Sequence, residues 1–233
     1  MKNRLKKTAL FLFPFILGGG LFFLFKRNLP LYEKIGLEDG LLEWVQFILF
    51  SLSTVLAIML AFKFRRDKAL IAIYIIIALG MFFVASEEIS WGERVIEIGN
   101  IEIIPEHLME RNIQGETNFH NIDVFDSKVG YIYTIIGIWG VFSGLFLKVL
   151  KRYKKIGGNV FNILKHITNP WYLSMYFSPL FINLITTYEF RPQHYEVTET
   201  FLSVGIFLFL LRNYFQREEE MDDIGFEPMT PTM

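Results

Sequence analysis

Residues 41–62 read LLEWVQFILFSLSTVLAIMLAF, and residues 70–86 read LIAIYIIIALGMFFVAS. Beyond Glu43 neither run carries a charged side chain. A helix of roughly 20 mainly apolar residues crosses the ~30 Å hydrocarbon layer of a bilayer. Backbone groups in lipid must be satisfied within their own segment, which selects helix over irregular chain. The two runs therefore predict transmembrane helices, separated by a short connection that holds Lys63, Arg65, Arg66 and Lys68. Comparable runs lie at Thr8–Phe25, Val129–Leu150, Trp171–Tyr188 and Thr198–Phe215, the last interrupted by Arg212. The predicted fold is an all-α membrane protein: a bundle of about six transmembrane helices forming one domain over residues 1–217. The polar tail, residues 218–233, is expected to be disordered and cytoplasmic.

Composition supports this class. Of the 233 residues 52% are hydrophobic and 20% charged, whereas soluble domains carry about 25% charged residues. Lys2, Arg4, Lys6 and Lys7 precede the first run, which passes through Gly18–Gly20 into Leu21–Phe25 without a small-x-small cleavage pattern. It is expected to be an uncleaved signal anchor. Pro14 and Pro179 fall inside helical runs and predict kinks, and Asn169-Pro170 predicts the start of the fifth helix. The absence of cysteine excludes disulfides and thiolate metal sites.

The basic residues orient the bundle. With the N-terminus inside and six alternating spans, 16 of the 23 Lys and Arg residues are cytoplasmic, as the positive-inside rule requires. Both termini are then cytoplasmic, in a multi-pass protein of the cell inner membrane. Acidic residues run the other way. The outer segments hold 17 of the 24 Asp and Glu against seven basic residues, together with His107, His120 and His194. Acidic residues contribute little to topology, so the excess needs another cause.

The long outer loop, residues 87–128, predicts structure of its own. Arg94–Ile98 and Ile101–Ile103 flank Gly99-Asn100 as a short β-hairpin would, and Pro105 opens a short helix to about Arg111. On the other side, Val160–Ile167 predicts a short interfacial helix.

Two stretches at this outer face carry unusual polar residues. In Glu87-Glu88-Ile89-Ser90-Trp91-Gly92-Glu93-Arg94, a continuing helix would place Glu87, Trp91 and Arg94 on one face. Adjacent carboxylates at a helix C-terminus oppose the helix dipole and are costly near lipid unless paired, metal-bound or hydrated. Arg94 pairing with one glutamate, with Trp91 as an interfacial anchor, is the structural explanation. Glu87, Glu88 and Arg94 are the catalytic candidates. In residues 112–121, Gln114, Glu116, Asn118 and His120 alternate, so an extended chain lines them along one side. Glu116 and His120 suit Zn²⁺ or a similar divalent ion; Trp91, Gln114, Asn118 and Asn121 suit a substrate. A loop bonding to its own backbone is the alternative.

Together, Glu-Glu-x-Ser-Trp-Gly-x-Arg at 87–94 and Asn-x-Gln-Gly-Glu-x-Asn-x-His-Asn at 112–121 resemble a family of bacterial polytopic membrane proteins. Glu38-Asp39-Gly40 with Glu43-Trp44 is similar to the same family. The resemblance covers about a third of the chain and implies membrane topology without supplying an activity.

A third cluster, Glu189, Arg191, His194, Glu196 and Glu199, lies between the fifth and sixth spans. Glu196 and Glu199 share a helix face, where a first-turn position is itself stabilising. If the three outer connections meet at one mouth, their carboxylates repel unless protonated or neutralised by a cation. That argues for a metal held by Glu88, Glu116, His120 and His194.

Three functions remain open at this level. The first is an enzyme acting at the outer leaflet on a lipid or lipid-linked substrate, with a metal activating water and Glu87 as general base or acid. The second is a non-catalytic sensor, assembly or binding protein. The third is a cation or small-solute transporter, disfavoured because no charge lies deep within a span. A membrane lipid is the expected partner. Nucleic acid is not, since the basic residues are juxtamembrane topology signals. The sequence identifies no protein partner.

Overall fold

The computed structural model describes residues 2–36, 40–92, 123–152, 158–185 and 192–215. These form eight helices: α1 (Lys2–Arg27), α2 (Leu29–Ile35), α3 (Leu41–Lys63), α4 (Lys68–Glu88), α5 (Asp123–Arg152), α6 (Gly158–Ile167), α7 (Ser174–Ile185) and α8 (Pro192–Phe215). Short 3-10 turns occupy Ser90–Gly92 and Trp171–Leu173, and no strand occurs among the described residues. The hairpin expected at 94–103 and the helix at 105–111 lie outside them. Arg4–Arg27, Leu41–Lys63, Lys68–Glu88 and Tyr131–Arg152 are each long and apolar enough to cross a membrane. The chain is a helical membrane protein with four such segments among the described residues, over which α7 and α8 do not combine that length with that apolarity.

α3 and α4 form an antiparallel hairpin, the most extensive helix pair in the structure. Its turn is tight because Asp67 caps α4, accepting from Ala69 N at 2.9 Å and Leu70 N at 3.1 Å. Losing an N-cap costs roughly 1 kcal/mol. Asp67→Ala is accordingly expected to lower the stability of the detergent-solubilised protein by about 1 kcal/mol, read as a small fall in thermal midpoint.

α8 lies at the centre, packed on both α3 and α7. Phe201, Leu202, Ile206, Phe209 and Leu210 are buried there, together with Thr198, Thr200, Ser203 and Asn213. Its weak hydropathy follows from this position, since a helix sheltered by protein can keep hydroxyls and amides that lipid would penalise. α3 and α8 run parallel and are tied at both ends. Gln46 bonds to Glu196 and Thr200 at one end, and Lys63 Nζ donates to the carbonyls of Asn213 and Tyr214 at the other. The latter places a cation at the C-terminus of α8, where the helix dipole favours it.

α5 packs on α7 through Gly140, whose missing side chain admits the ring of Phe177. The segment entering α7 is fastened to α5 as well. Trp139 Nε1 donates to Ile167 O at 2.9 Å, Asn169 N to Ser143 Oγ at 3.0 Å, and Asn169 Nδ2 to Gly140 O at 2.6 Å. α1 is peripheral, touching the Trp171–Leu173 turn and α7, with Phe11 against Trp171 at 5.5 Å. Large side chains such as Phe22, Phe62, Ile76, Leu79, Ile135 and Leu145 are exposed around the outside, as a lipid-facing surface demands.

Several sequence expectations are corrected. The third helix does not continue through Trp91 to Arg94: it ends at Glu88, and Ser90 and Trp91 both adopt positive φ, 47° and 55°. Left-handed backbone at two successive non-glycine residues breaks a helix. The fifth span starts as a 3-10 turn before α7, the sixth helix starts at Pro192, and the fourth at Asp123. α2, begun by Asn28 accepting from Leu31 N at 3.2 Å, was not anticipated.

Candidate functional site

The α3/α8 pair sets the frame. Gln46 sits one turn into α3, fully buried. Its Nε2 donates to Glu196 O at 2.9 Å, Glu196 Oε2 at 3.1 Å and Thr200 Oγ1 at 3.1 Å. Because a backbone carbonyl only accepts, this contact fixes the amide orientation. Gln46 Oε1 is then left buried with no hydrogen-bond partner among the described residues. One turn further along α8, Glu199 Oε1 accepts from the Tyr133 hydroxyl at 2.7 Å.

Tyr133 joins the remaining element. Its hydroxyl feels not only Glu199 but also Glu88, at the end of α4, and Glu196. Carboxylates from α4 and α8 therefore gather around one phenol from α5, next to an amide from α3. The acidic ends of α4 and α8 thus share one end of the bundle with Gln46 of α3 and Tyr133 of α5.

Beside this group, the Ser90–Gly92 turn folds Trp91 back over α4. The indole N–H donates to Glu87 Oε1, and the ring meets Phe83 edge-on at 5.6 Å. Glu87 is 6% exposed and Ser90 1%. The expected Glu87–Trp91 proximity therefore exists, but the turn produces it rather than helical continuation. A buried carboxylate must be hydrogen-bonded to be tolerated, so Trp91 is a positioning residue for Glu87. Trp91→Phe keeps the ring and removes the donor. It is expected to destabilise the protein by about 1.5–3 kcal/mol, the range for hydrogen bonds to charged groups, measurable as a lowered thermal midpoint.

Of the residues expected at the site, Arg94, Gln114, Glu116, Asn118, His120 and Asn121 lie outside the described residues. His194 falls in the first turn of α8. Among the described residues no three acidic or imidazole groups lie close enough together to hold one metal ion. Glu116 and His120, expected as metal ligands together with Glu88, lie outside the described residues.

Tyr133, Gln46 and Thr200 were not singled out from the sequence. Gln46 offered a signal, being the one amide in α3; Tyr133 and Thr200 offered none, being common residues in aromatic and polar runs.

A second buried polar group occupies the opposite end. Asn213 Nδ2 donates to His166 O at 2.7 Å and to the Tyr74 hydroxyl at 3.2 Å. His166, 1% exposed, has Nδ1 at 2.8 Å from Asn162 O and its ring edge-on to Phe64 at 4.6 Å. No family model, curated protein or solved structure matches the chain.

Proposed function

We propose that the chain is a six-span protein of the bacterial cytoplasmic membrane, both termini inside, whose outward end acts on a lipid or lipid-linked substrate. The observation that carries this reading is the convergence of Glu88, Glu196 and Glu199 on Tyr133 at one end of the bundle. The flanking surface is apolar and open: Phe82 and Phe83 on α4, and Tyr131, Ile132 and Ile135 on α5, are exposed. α5 packs chiefly on α7 rather than on α4, so a headgroup can approach from the bilayer between them.

The chemistry suits proton transfer at an interface. Tyr133 donates to the Glu199 carboxylate at 2.7 Å, and Glu88 and Glu196 also act on its hydroxyl, giving a proton donor and an acceptor within hydrogen-bond reach and further carboxylates nearby. Glu87 is engaged by Trp91, so this role falls to Glu88 and Glu199. A divalent ion on Glu88, Glu116 and His120 would add water activation.

The test is a lipid profile of membranes from cells lacking the protein, complemented with wild type, Glu199→Gln or Tyr133→Phe. Wild type is expected to restore the altered lipid species and Glu199→Gln to fail at equal expression. An unchanged profile on deletion would refute lipid processing and favour a non-catalytic sensor or binding protein. Metal content of the purified wild type, with His120→Ala alongside, decides the ion separately.

Transport has one observation in its favour. Gln46, Ser53, Thr200 and Ser203 are all buried on the two paired helices, and Ser53 Oγ has no hydrogen-bond partner among the described residues. Further along the same helices come Ala57, Leu60, Ile206 and Leu210, buried in the apolar core, so the polar line stops near mid-depth.

A further inference from the structure

The end of the bundle opposite the candidate site holds a cation on which no carboxylate acts among the described residues. Arg212, near the C-terminus of α8, is largely enclosed, and the groups acting on it are the hydroxyls of Tyr172 and Tyr74. Its Nη1 donates to Asn213 Oδ1 at 3.1 Å. Its Nε is buried with no hydrogen-bond partner among the described residues. Lys7 of α1 comes to the same place from the other side, its ammonium 5.7 Å from the centre of the Tyr172 ring. Lys63 is close in sequence depth but already capped by the carbonyls of α8.

A guanidinium withdrawn from water is costly unless it meets an opposite charge. The amide of Asn213 bonds to it and the phenols of Tyr172 and Tyr74 act on it, but none of the three neutralises it. Two cations flanking one buried tyrosine, with a donor to spare, form half of an ion-binding site. Its missing half is an anion with several acceptor oxygens, which is the geometry arginine matches best. The site lies where α1, the Trp171–Leu173 turn and α8 end, beside Trp171 and Phe11. An amphipathic aromatic at a helix end sits at headgroup level.

We propose that Lys7, Tyr172 and Arg212 form a binding site for the phosphate of an anionic phospholipid headgroup, distinct from the carboxylate-lined end. The geometry assigns Arg212 as the charge partner, Tyr172 as the hydroxyl that orients it, and Lys7 as the second cation closing over the ligand. Binding would tie peripheral α1 to central α8, which otherwise meet mainly through the turn between them.

Native mass spectrometry of the full chain in detergent tests this, with phosphatidylglycerol, phosphatidylcholine and inorganic phosphate added in separate arms. Wild type is expected to retain phosphatidylglycerol over phosphatidylcholine. Arg212→Gln should weaken retention about tenfold, equivalent to ~1.4 kcal/mol. Lys7→Gln, on a peripheral helix and harmless to packing, should weaken it about threefold. Arg212→Lys keeps the charge, loses the planar fork, and should fall between. Displacement of the lipid by millimolar inorganic phosphate would support the phosphate as the recognised group. Equal retention of both lipids by wild type, or unchanged retention in Lys7→Gln and Arg212→Lys, would overturn the proposal. So would phosphatidylglycerol binding that appears only after residues 218–233 are deleted, because the tail glutamates would then be the counter-ion.

Discussion

Gly140→Ala is expected to prevent stable assembly of the α5–α7 pair. A Cβ at position 140 would lie 2.1 Å from Cγ and 2.4 Å from Cβ of Phe177. The second distance rules out a simple ring rotation as relief, because Cβ of Phe177 moves only with the backbone of α7. That backbone is constrained from a third side, since a Cβ added at Gly205 of α8 would likewise lie only 2.8–3.0 Å from Tyr176 and Phe177. Separating α5 from α7 would further stretch the bond from Asn169 Nδ2 to Gly140 O. Overpacking a core by one methyl typically costs about 1–3 kcal/mol, and this site is at or above the top of that range. The measurement is thermal stability in detergent by size-exclusion chromatography, beside Gly80→Ala. Gly80 has nothing within 4 Å of its added Cβ. That control should be neutral or stabilising, as alanine is the better helix former by about 1 kcal/mol. A Gly140→Ala protein as stable as wild type would mean that α5 and α7 are not packed as described.

Gln46→Leu carries the second large effect. Leucine fills the volume but removes all three bonds to Glu196 and Thr200. Thr200 Oγ1 still reaches Glu196 O at 2.8 Å, so the loss falls on the Glu196 carboxylate. Losing a hydrogen bond to a charged group costs about 1.5–3 kcal/mol, and both thermal stability and site function should fall. Gln46→Glu sharpens the point. It brings a second carboxyl against Glu196, so one of the two holds its proton in the folded state. A carboxyl whose folded-state pKa is raised contributes stability at low pH that is lost as pH rises. Gln46→Glu is therefore expected to approach wild-type stability in acid and to fall progressively below it as the pH increases. A pH-independent deficit would show that the two side chains do not face each other.

The uneven legibility of this molecule in its sequence has a physical basis. α3, α4 and most of α5 announce themselves because they face lipid, and lipid demands an apolar surface. Central α8 does not, because protein surrounds it and Thr200, Ser203 and Asn213 find partners there. The ends are hardest to read. Helical periodicity puts Glu87 near Trp91, but only the positive φ values at Ser90 and Trp91 make the indole fold back. The carboxylates of α4 and α8 were visible as an acidic excess. Tyr133, which brings them to one point, was not, because a tyrosine at a helix end is usually just an interfacial anchor. His166 was passed over for the opposite reason. It lies apart from the other histidines, and its burial depends on how the α6–α7 connection turns back against Phe64.

The central proposal is that Tyr133 of α5 meets the acidic ends of α4 and α8 on the outer side of the membrane. The chain has no cysteine, so paired cysteines introduced at 133 and 199 report on that contact alone. In intact cells expressing Tyr133→Cys/Glu199→Cys, a short membrane-impermeant bis-thiol reagent is predicted to join the two positions within the monomer. The Tyr133→Cys/Lys63→Cys pair, at opposite ends, should stay unlinked. Absence of the 133–199 crosslink, or its appearance only after the cells are permeabilised, would contradict the account.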